Sequence, residues 1–254
     1  MPSTTIQTCI DGRTAWIALD RPPLNVLNIE MMRELSAALD EALPRCDFVI
    51  FRGSGPKGFS AGAEIADHVP ERVGEMLSAF HSIFRRLARS ESVTIAAVHG
   101  HCLGGGMELA TFCDFVIATE SASFSQPEIK LACFPPIAMI TLPELCGFRA
   151  AADLILTGRT ISADEAQRMG LVSRVVPEGE LESAAKNLLA ALSELSPTVV
   201  RLTRRTLWRQ RAGDFERDLD EVERVYLDDL MRTQDAREGI RAFMEKRAGA
   251  WRGR

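Results

Sequence analysis

The sequence predicts an α/β fold built on a mostly parallel sheet. Three observations carry this. Short, continuously apolar segments alternate with amphipathic helical ones through the first 150 residues, two glycine-bearing loops each follow such a segment, and the pattern turns mostly helical after residue 149. Strands buried on both faces lose the polar alternation of a surface strand, and parallel neighbours need crossover helices between them.

The elements follow in order. "IQTCI" and "TAWIALD" flank "DGR" and read as a hairpin. "RPPLNVLN" is too proline-rich for a helix or a strand and reads as a loop. "NIEMMRELSAALDEAL" spaces its apolar residues for a helix, with Asn28 as N-cap. "DFVIFRG" is a buried strand, "GSGPKGFSAGAEI" a loop and "VGEMLSAFHSIFRRLARS" an amphipathic helix. "VTIAAVHG" is a second buried strand, the glycine run and the helix "GMELATFC" come next, and "DFVIAT" is a third strand. "RAAADLILTG" and "SADEAQRMG" are helices closed by glycine, and in the second Ser162 precedes Glu165 at capping-box spacing. Residues 178 to 247 read as three or four helices, so the expected layout is an α/β core over 1–190 and a helical region over 191–254.

Composition narrows the function classes. The 254 residues are 46% hydrophobic with a formal net charge of -5, enough for a sizeable core and contrary to a nucleic-acid partner. The one basic run, "RLTRRTLWRQR" at 201 to 211, reads as a helix with a solvated basic face. The six cysteines form no C-x-x-C pair, the N-terminus lacks a signal-peptide pattern, and no apolar run approaches the roughly 20 residues that span a bilayer. A cytoplasmic protein with reduced thiols is expected.

The chemistry concentrates in "HGHCLGGGMELA", residues 99 to 110. Adjacent glycines are entropically costly and suit close backbone approach or positive φ. Both glycine loops leave a parallel sheet at the carboxyl ends of strands, where ligands bind and where two converging N–H groups can form an oxyanion hole. The same run can instead serve only close helix–strand packing. It lacks the lysine and hydroxyl residue of a phosphate loop. Glu108, in the apolar "MELATF", and Glu128, in "FSQPEIKLACFPP", are either a pair that moves water and a proton or ordinary structural acids. His99 and His101 read as strand-end residues, with no further ligands nearby for a metal. His68 and His81 read as satisfied core or surface residues, Tyr226 as helix core, and Cys102 and Cys133 as small apolar fillers.

"KGFSAGAEI", "GHCLGGGMELATFCDFVIATESASFSQPEI" and "LTGRTISADEAQRMGLVSRVVP" together resemble the crotonase (enoyl-CoA hydratase/isomerase) superfamily, nearly end to end. The resemblance implies a crotonase-like spiral of ββα units with a C-terminal helical trimerisation region, in a homotrimer or a homohexamer. It implies an acyl-CoA substrate, with CoA as part of that substrate and no other cofactor or metal. By motif, the oxyanion donors are the N–H groups of Ala63 and Gly105, and the hydratase carboxylates are Glu108 and Glu128. For CoA it implies Leu24, Val26 and Ile65, with Phe243 and Lys246 from the C-terminal helix of this or a neighbouring subunit. One departure stands out. After "QPEI" the usual glycine-rich segment is replaced by "LACFPPIAMITLPEL". There, and in "VERVYLDDLMRTQDAREGIRAFMEKRAGAW", the chain is similar to the cyclohexa-1,5-dienecarbonyl-CoA hydratases, which add water to a conjugated diene. The alternatives are a plain short-chain enoyl-CoA hydratase, another reaction on this fold such as isomerisation, and a non-catalytic RNA-binding homologue.

Overall fold

Each turn of the chain lays one strand in each of two sheets before a helix returns it. The computed structural model describes residues 4–253, apart from the side chains of 210–213. The hairpin β1 (Ile6–Asp11) and β2 (Thr14–Leu19) pairs Ile6 with Leu19. Then come α1 (Ile29–Ala42), β3 (Phe48–Gly53), β4 (Gly58–Ser60), α2 (Val73–Arg89), β5 (Val93–Val98), β6 (His101–Leu103) and α3 (Gly105–Phe112). β7 (Phe115–Thr119), β8 (Ser123–Ser125), α4 (Pro136–Cys146), α5 (Phe148–Thr157), β9 (Thr160–Ser162), α6 (Ala163–Arg168) and β10 (Arg174–Val176) complete the spiral. Three helices close the chain: α7 (Leu181–Ser193), α8 (Pro197–Arg224) and α9 (Gln234–Met244).

The larger sheet runs β1-β2-β3-β5-β7-β10 and is parallel from β2 onward, and the smaller runs β4-β6-β8-β9. The ββα repeat is therefore β3–β4–α2, β5–β6–α3 and β7–β8–α4. The short strands β4, β6 and β8 lie where loops are expected from composition. Strands of three residues carry no periodicity, and only pairing with the neighbouring turn makes them strands.

The apolar run of β5 is explained by burial on both faces. Ala96 and Val98 join the main core under α1 and α2, whereas Val93, Ile95 and Ala97 face α7 through Ala184, Ala185 and Leu189. Helix ends match local chemistry. Asn28 accepts from the Met31 N–H, Ser162 from the Glu165 N–H, and Gly158 takes the left-handed conformation after α5.

The basic run is only in part a solvated face: Arg209 is exposed, while three of its arginines meet acidic partners. Arg201 bonds Asp47 at 2.8 Å, Arg205 bonds Glu91 at 2.7 Å, and Arg204, only 4% exposed, bonds Asp114 at 2.7 Å. Asp114 also accepts from the Thr94 N–H and the Trp208 indole. A guanidinium can bury its stem and charge together when a carboxylate and carbonyls meet its donors, and here the carbonyl of Ser90 does so too. The last two residues of that run, 210 and 211, lie outside the described side chains. Phe84, Phe112, Phe215 and Trp208 stack around the same joint, with ring centroids 4.9 to 5.1 Å apart. Among the described residues no helix is long and apolar enough to cross a membrane.

Removing one partner of a buried ion pair strands the other charge. Asp114→Ala should therefore lower the unfolding free energy by about 3–5 kcal/mol. Urea denaturation checks this, and an unchanged midpoint would show that Arg204 finds other acceptors.

Candidate active site

The three glycines each answer to a different neighbour. Gly104 has φ 51° and ψ -128°, a backbone conformation open to glycine and little else. A Cβ there would also collide with the Glu128 carboxylate. A Cβ on Gly105 would lie 2.9 Å from the Phe80 ring and 3.4 Å from the Ala63 nitrogen. A Cβ on Gly106 would press on the carbonyl of Ser60. Gly106 is thus the packing glycine, while Gly104 admits a side-chain carboxyl and Gly105 admits the facing loop.

That loop brings the two expected donors together. Leu27 and Ala63 form a parallel bridge in which the Leu27 N–H bonds the Gly62 carbonyl and the Glu64 N–H bonds the Leu27 carbonyl. This pattern turns the N–H of Ala63 away from Leu27. Gly105 opens α3, so its N–H has no partner within the helix. The two backbones touch, since a Cβ on Gly62 would lie 3.0 Å from the Gly105 nitrogen. The free N–H of a helix N-terminus and the outward N–H of Ala63 therefore lie on adjoining backbone, and two such groups aimed at one oxygen would stabilise negative charge on it.

Asn25 holds this loop, and sequence reasoning did not single it out. It is fully buried with φ 51°, and its amide donates to the carbonyls of Ser54 at 2.9 Å, Gly58 at 3.0 Å and Phe59 at 3.2 Å. Ser60 Oγ donates to the Asn25 carbonyl. The available signal was an asparagine inside a proline-rich loop, the residue type besides glycine that best tolerates positive φ.

Glu108 and Glu128 do converge. Glu108 is 2% exposed, and its Oε1 accepts from the Ala138 N–H at 2.9 Å, with the Ile137 N–H near enough to favour the charged carboxylate. Both donors belong to the first turn of α4, which Pro136 opens. The segment that departs from the glycine-rich pattern is thus a helix N-terminus aimed at a carboxylate. Burial pushes the Glu108 pKa up to about 7, and those two N–H groups restrain the rise. Burial and the nearby Glu108 push Glu128 further in the same direction. Its Oε2 is buried without a protein partner, and so are both amide atoms of the adjacent Gln126. Two carboxyls this buried and this close cannot both ionise cheaply, so the pair as a whole holds on to a proton toward neutral pH.

The other candidates take simpler places. His99 Nε2 lies 2.8 Å from the Gly55 carbonyl and His101 Nδ1 lies 3.1 Å from Ser123 Oγ. Among the described residues no group of three or more His, Cys, Asp or Glu is arranged to hold a metal. His81 is buried against Glu223 at 3.0 Å. Leu24 and Val26 flank Asn25, and the Leu24 carbonyl accepts from the Ala61 N–H at 2.9 Å. Ile65 opens a short helical turn, Ile65–His68, against which α9 of the same chain packs. Phe243, half exposed, and Lys246, with φ 53°, stand at the end of α9. A cavity of about 590 Å³ lies away from the carboxylates, between β5, β7, α7 and α8.

Residues 10–254 match the family described as enoyl-CoA hydratase/isomerase. The chain is 35% identical over 246 residues to the cyclohexa-1,5-dienecarbonyl-CoA hydratase of Thauera aromatica, covering 96% of this chain and 95% of that one. It is 40% identical over 256 residues to a probable enoyl-CoA hydratase of Mycobacterium bovis, covering 98% of each. A crystal structure of an enoyl-CoA hydratase from Mycobacterium avium subsp. paratuberculosis has the same fold, with a TM-score of 0.88 at 24% identity over 99% of this chain and 100% of that one.

Two outcomes follow from this geometry. Gly104→Ala should fold but lose about 10²-fold in turnover, because a displacement near 1 Å at a reacting group costs that much; wild-type turnover would show that the Glu128 carboxyl has room to move. Thermal stability should fall as pH rises. Both carboxyls bind protons more tightly folded than unfolded, so their contribution is whole below about pH 4.5 and is lost as pH passes through about 7. Melting curves from pH 5 to 8 should slope down for the wild type and flatten for Glu108→Gln/Glu128→Gln; parallel slopes would refute the assignment.

Proposed function

The chain belongs to the enoyl-CoA hydratase/isomerase family and is an enoyl-CoA hydratase, and from that premise we propose that its substrate is a conjugated cyclic dienoyl-CoA of the cyclohexa-1,5-diene-1-carbonyl type. The observation that carries the ring is the wall after Glu128. Pro135 and Pro136 run directly into α4, whose first turn is locked to Glu108. Proline and a bonded helix end form a stiff surface, suited to a flat ring more than to a mobile chain. The similarity to the Thauera aromatica hydratase supports the same reading.

The reaction then runs as an addition across the conjugated system. Ionised Glu108 takes a proton from water while the water oxygen bonds the carbon β to the thioester. Electrons shift toward the thioester oxygen, where the N–H groups of Ala63 and Gly105 meet the developing charge. Protonated Glu128 gives its proton to the far end of the conjugated system, and the thioester carbonyl re-forms. The proton left on Glu108 passes back to Glu128 before the next turnover, so one water is added in net. Leu24, Val26 and Ile65 take the adenine end of CoA, and Phe243 and Lys246 close over it, the lysine meeting a phosphate. CoA is part of the substrate and no other cofactor enters. The assembly is a homotrimer or a dimer of trimers, with the exposed Leu195, Val199, Leu202 and Leu207 as contact surface.

The test compares kcat/KM for cyclohexa-1,5-dienecarbonyl-CoA and crotonyl-CoA. The diene should win by tenfold or more, within the roughly 10–200-fold that pocket shape can supply. In heavy water the deuteron should appear at the far carbon. A crotonyl-CoA preference of an order of magnitude, with the deuteron on the α carbon, would establish a plain short-chain enoyl-CoA hydratase instead.

A further inference from the structure

One cation bridges the loop that carries Ala63 and the loop beside it. Arg21 Nη1 donates to the Val26 carbonyl at 2.8 Å and to Glu64 Oε2 at 3.1 Å. Its two acceptors belong to the segments 24–27 and 61–64, which run side by side. The backbone sews them with three bonds: the Ala61 N–H to the Leu24 carbonyl at 2.9 Å, the Leu27 N–H to the Gly62 carbonyl at 2.8 Å and the Glu64 N–H to the Leu27 carbonyl at 2.9 Å. All three lie between the segments. The N–H of Ala63 points the other way, so its direction is set only through its neighbours.

Arg21 is itself fixed at its root. Its N–H donates to Asn25 Oδ1 at 3.1 Å, and its carbonyl accepts from the Asn25 N–H at 2.9 Å. The guanidinium therefore starts from the loop that the buried Asn25 locks and reaches across to Glu64, the residue after Ala63. Further along, Asp67 makes a second tie: it is 2% exposed, accepts from the Ile29 N–H at 3.1 Å and pairs with Arg72 at 3.0 Å. Ala63 sits between these ties, and the Arg21 tie is the nearer. Stability alone does not account for it. Both side chains of the Arg21–Glu64 pair are 34% exposed, and a pair so open to water adds little to folding. What a planar guanidinium supplies is direction, since one nitrogen meets a carbonyl of one loop and a carboxylate of the other and so fixes where the two lie relative to each other.

We propose that Arg21 is a positioning residue for the reaction: by clamping Val26 to Glu64 it holds the N–H of Ala63 in the direction from which it meets the thioester oxygen. This rests on the reading above that Ala63 and Gly105 receive that oxygen, and it holds for any acyl group.

The experiment measures two things in the wild type, Arg21→Met, Arg21→Lys, Glu64→Ala and the double variant Arg21→Met/Glu64→Ala, each checked for folding by its melting curve. The first is kcat and KM for the better of the diene and crotonyl thioesters. The second is the carbonyl stretch of bound acetyl-CoA labelled with ¹³C at the thioester carbon, a probe with no double bond to hydrate. The wild type should lower that stretch relative to free acetyl-CoA. Arg21→Met should lose part of the lowering and about tenfold in kcat, short of the roughly 10²–10³-fold cost of removing a whole donor, with KM changed less. Arg21→Lys should recover part of both. Glu64→Ala cuts the same tie from its other end and stands in where Arg21→Met does not fold; the double variant should lose no more than Arg21→Met, because the pair acts as a unit. A folded Arg21→Met enzyme with the wild-type stretch and kcat, or with a loss confined to KM, overturns the assignment of Arg21 and leaves the oxyanion donors standing. A wild type that does not lower the stretch overturns the donor reading and this inference with it.

Discussion

Two carboxyl groups taken out of water within each other's field set the terms for everything around them. A buried carboxylate needs hydrogen-bond donors or a proton, and two neighbouring ones cannot both ionise cheaply. The fold answers each demand with a different device. Glu108 receives the first N–H groups of α4, which permit a charge near neutral pH. Glu128 receives no such donor at Oε2, and burial and the nearby Glu108 raise its pKa. Two identical side chains thus meet different backbone surroundings.

The rest of the architecture serves that asymmetry. A helix N-terminus can meet Glu108 only if the chain turns sharply after Glu128, and that turn is made by Ala132, Cys133 and two prolines rather than by glycines. Gly104 is indispensable for a complementary reason, since its missing Cβ is the space the Glu128 carboxyl occupies. The close approach of Ala63 and Gly105 depends on the same crowding, because the loop bearing Ala63 lies on the backbone of Gly105 and is kept there by Asn25. Small residues and buried amides do here what large apolar residues do elsewhere in the core.

The C-terminal helices are joined to this centre by polar as much as apolar contacts. Arg204 and Arg201 carry α8 onto Asp114 and Asp47, and the next turns of the same helix bring Glu223 to His81 and Tyr226 to Phe134. The helix is amphipathic in an unusual sense: its inward side includes arginines whose charges are met inside the fold.

The sequence by itself determined the alternation of strands and helices, the helix caps at Asn28 and Ser162, and the residue types at the site. Each of these is a local property: periodicity, a side-chain oxygen near free N–H groups, a glycine before a glutamate. The combination of motifs also pointed to Glu108, Glu128, Ala63 and Gly105. Only the tertiary structure decided the rest. The three-residue strands of the smaller sheet exist because successive turns of the spiral pair them, and no period marks them in the chain. The basic run turned partly inward because its acidic partners Asp47, Glu91 and Asp114 lie about a hundred residues away or more in sequence, beyond the reach of any local pattern. The different hydrogen bonding of Glu108 and Glu128 has the same origin, since it depends on which backbone donors reach each carboxyl once α4 is in place, and that is a matter of three-dimensional distance.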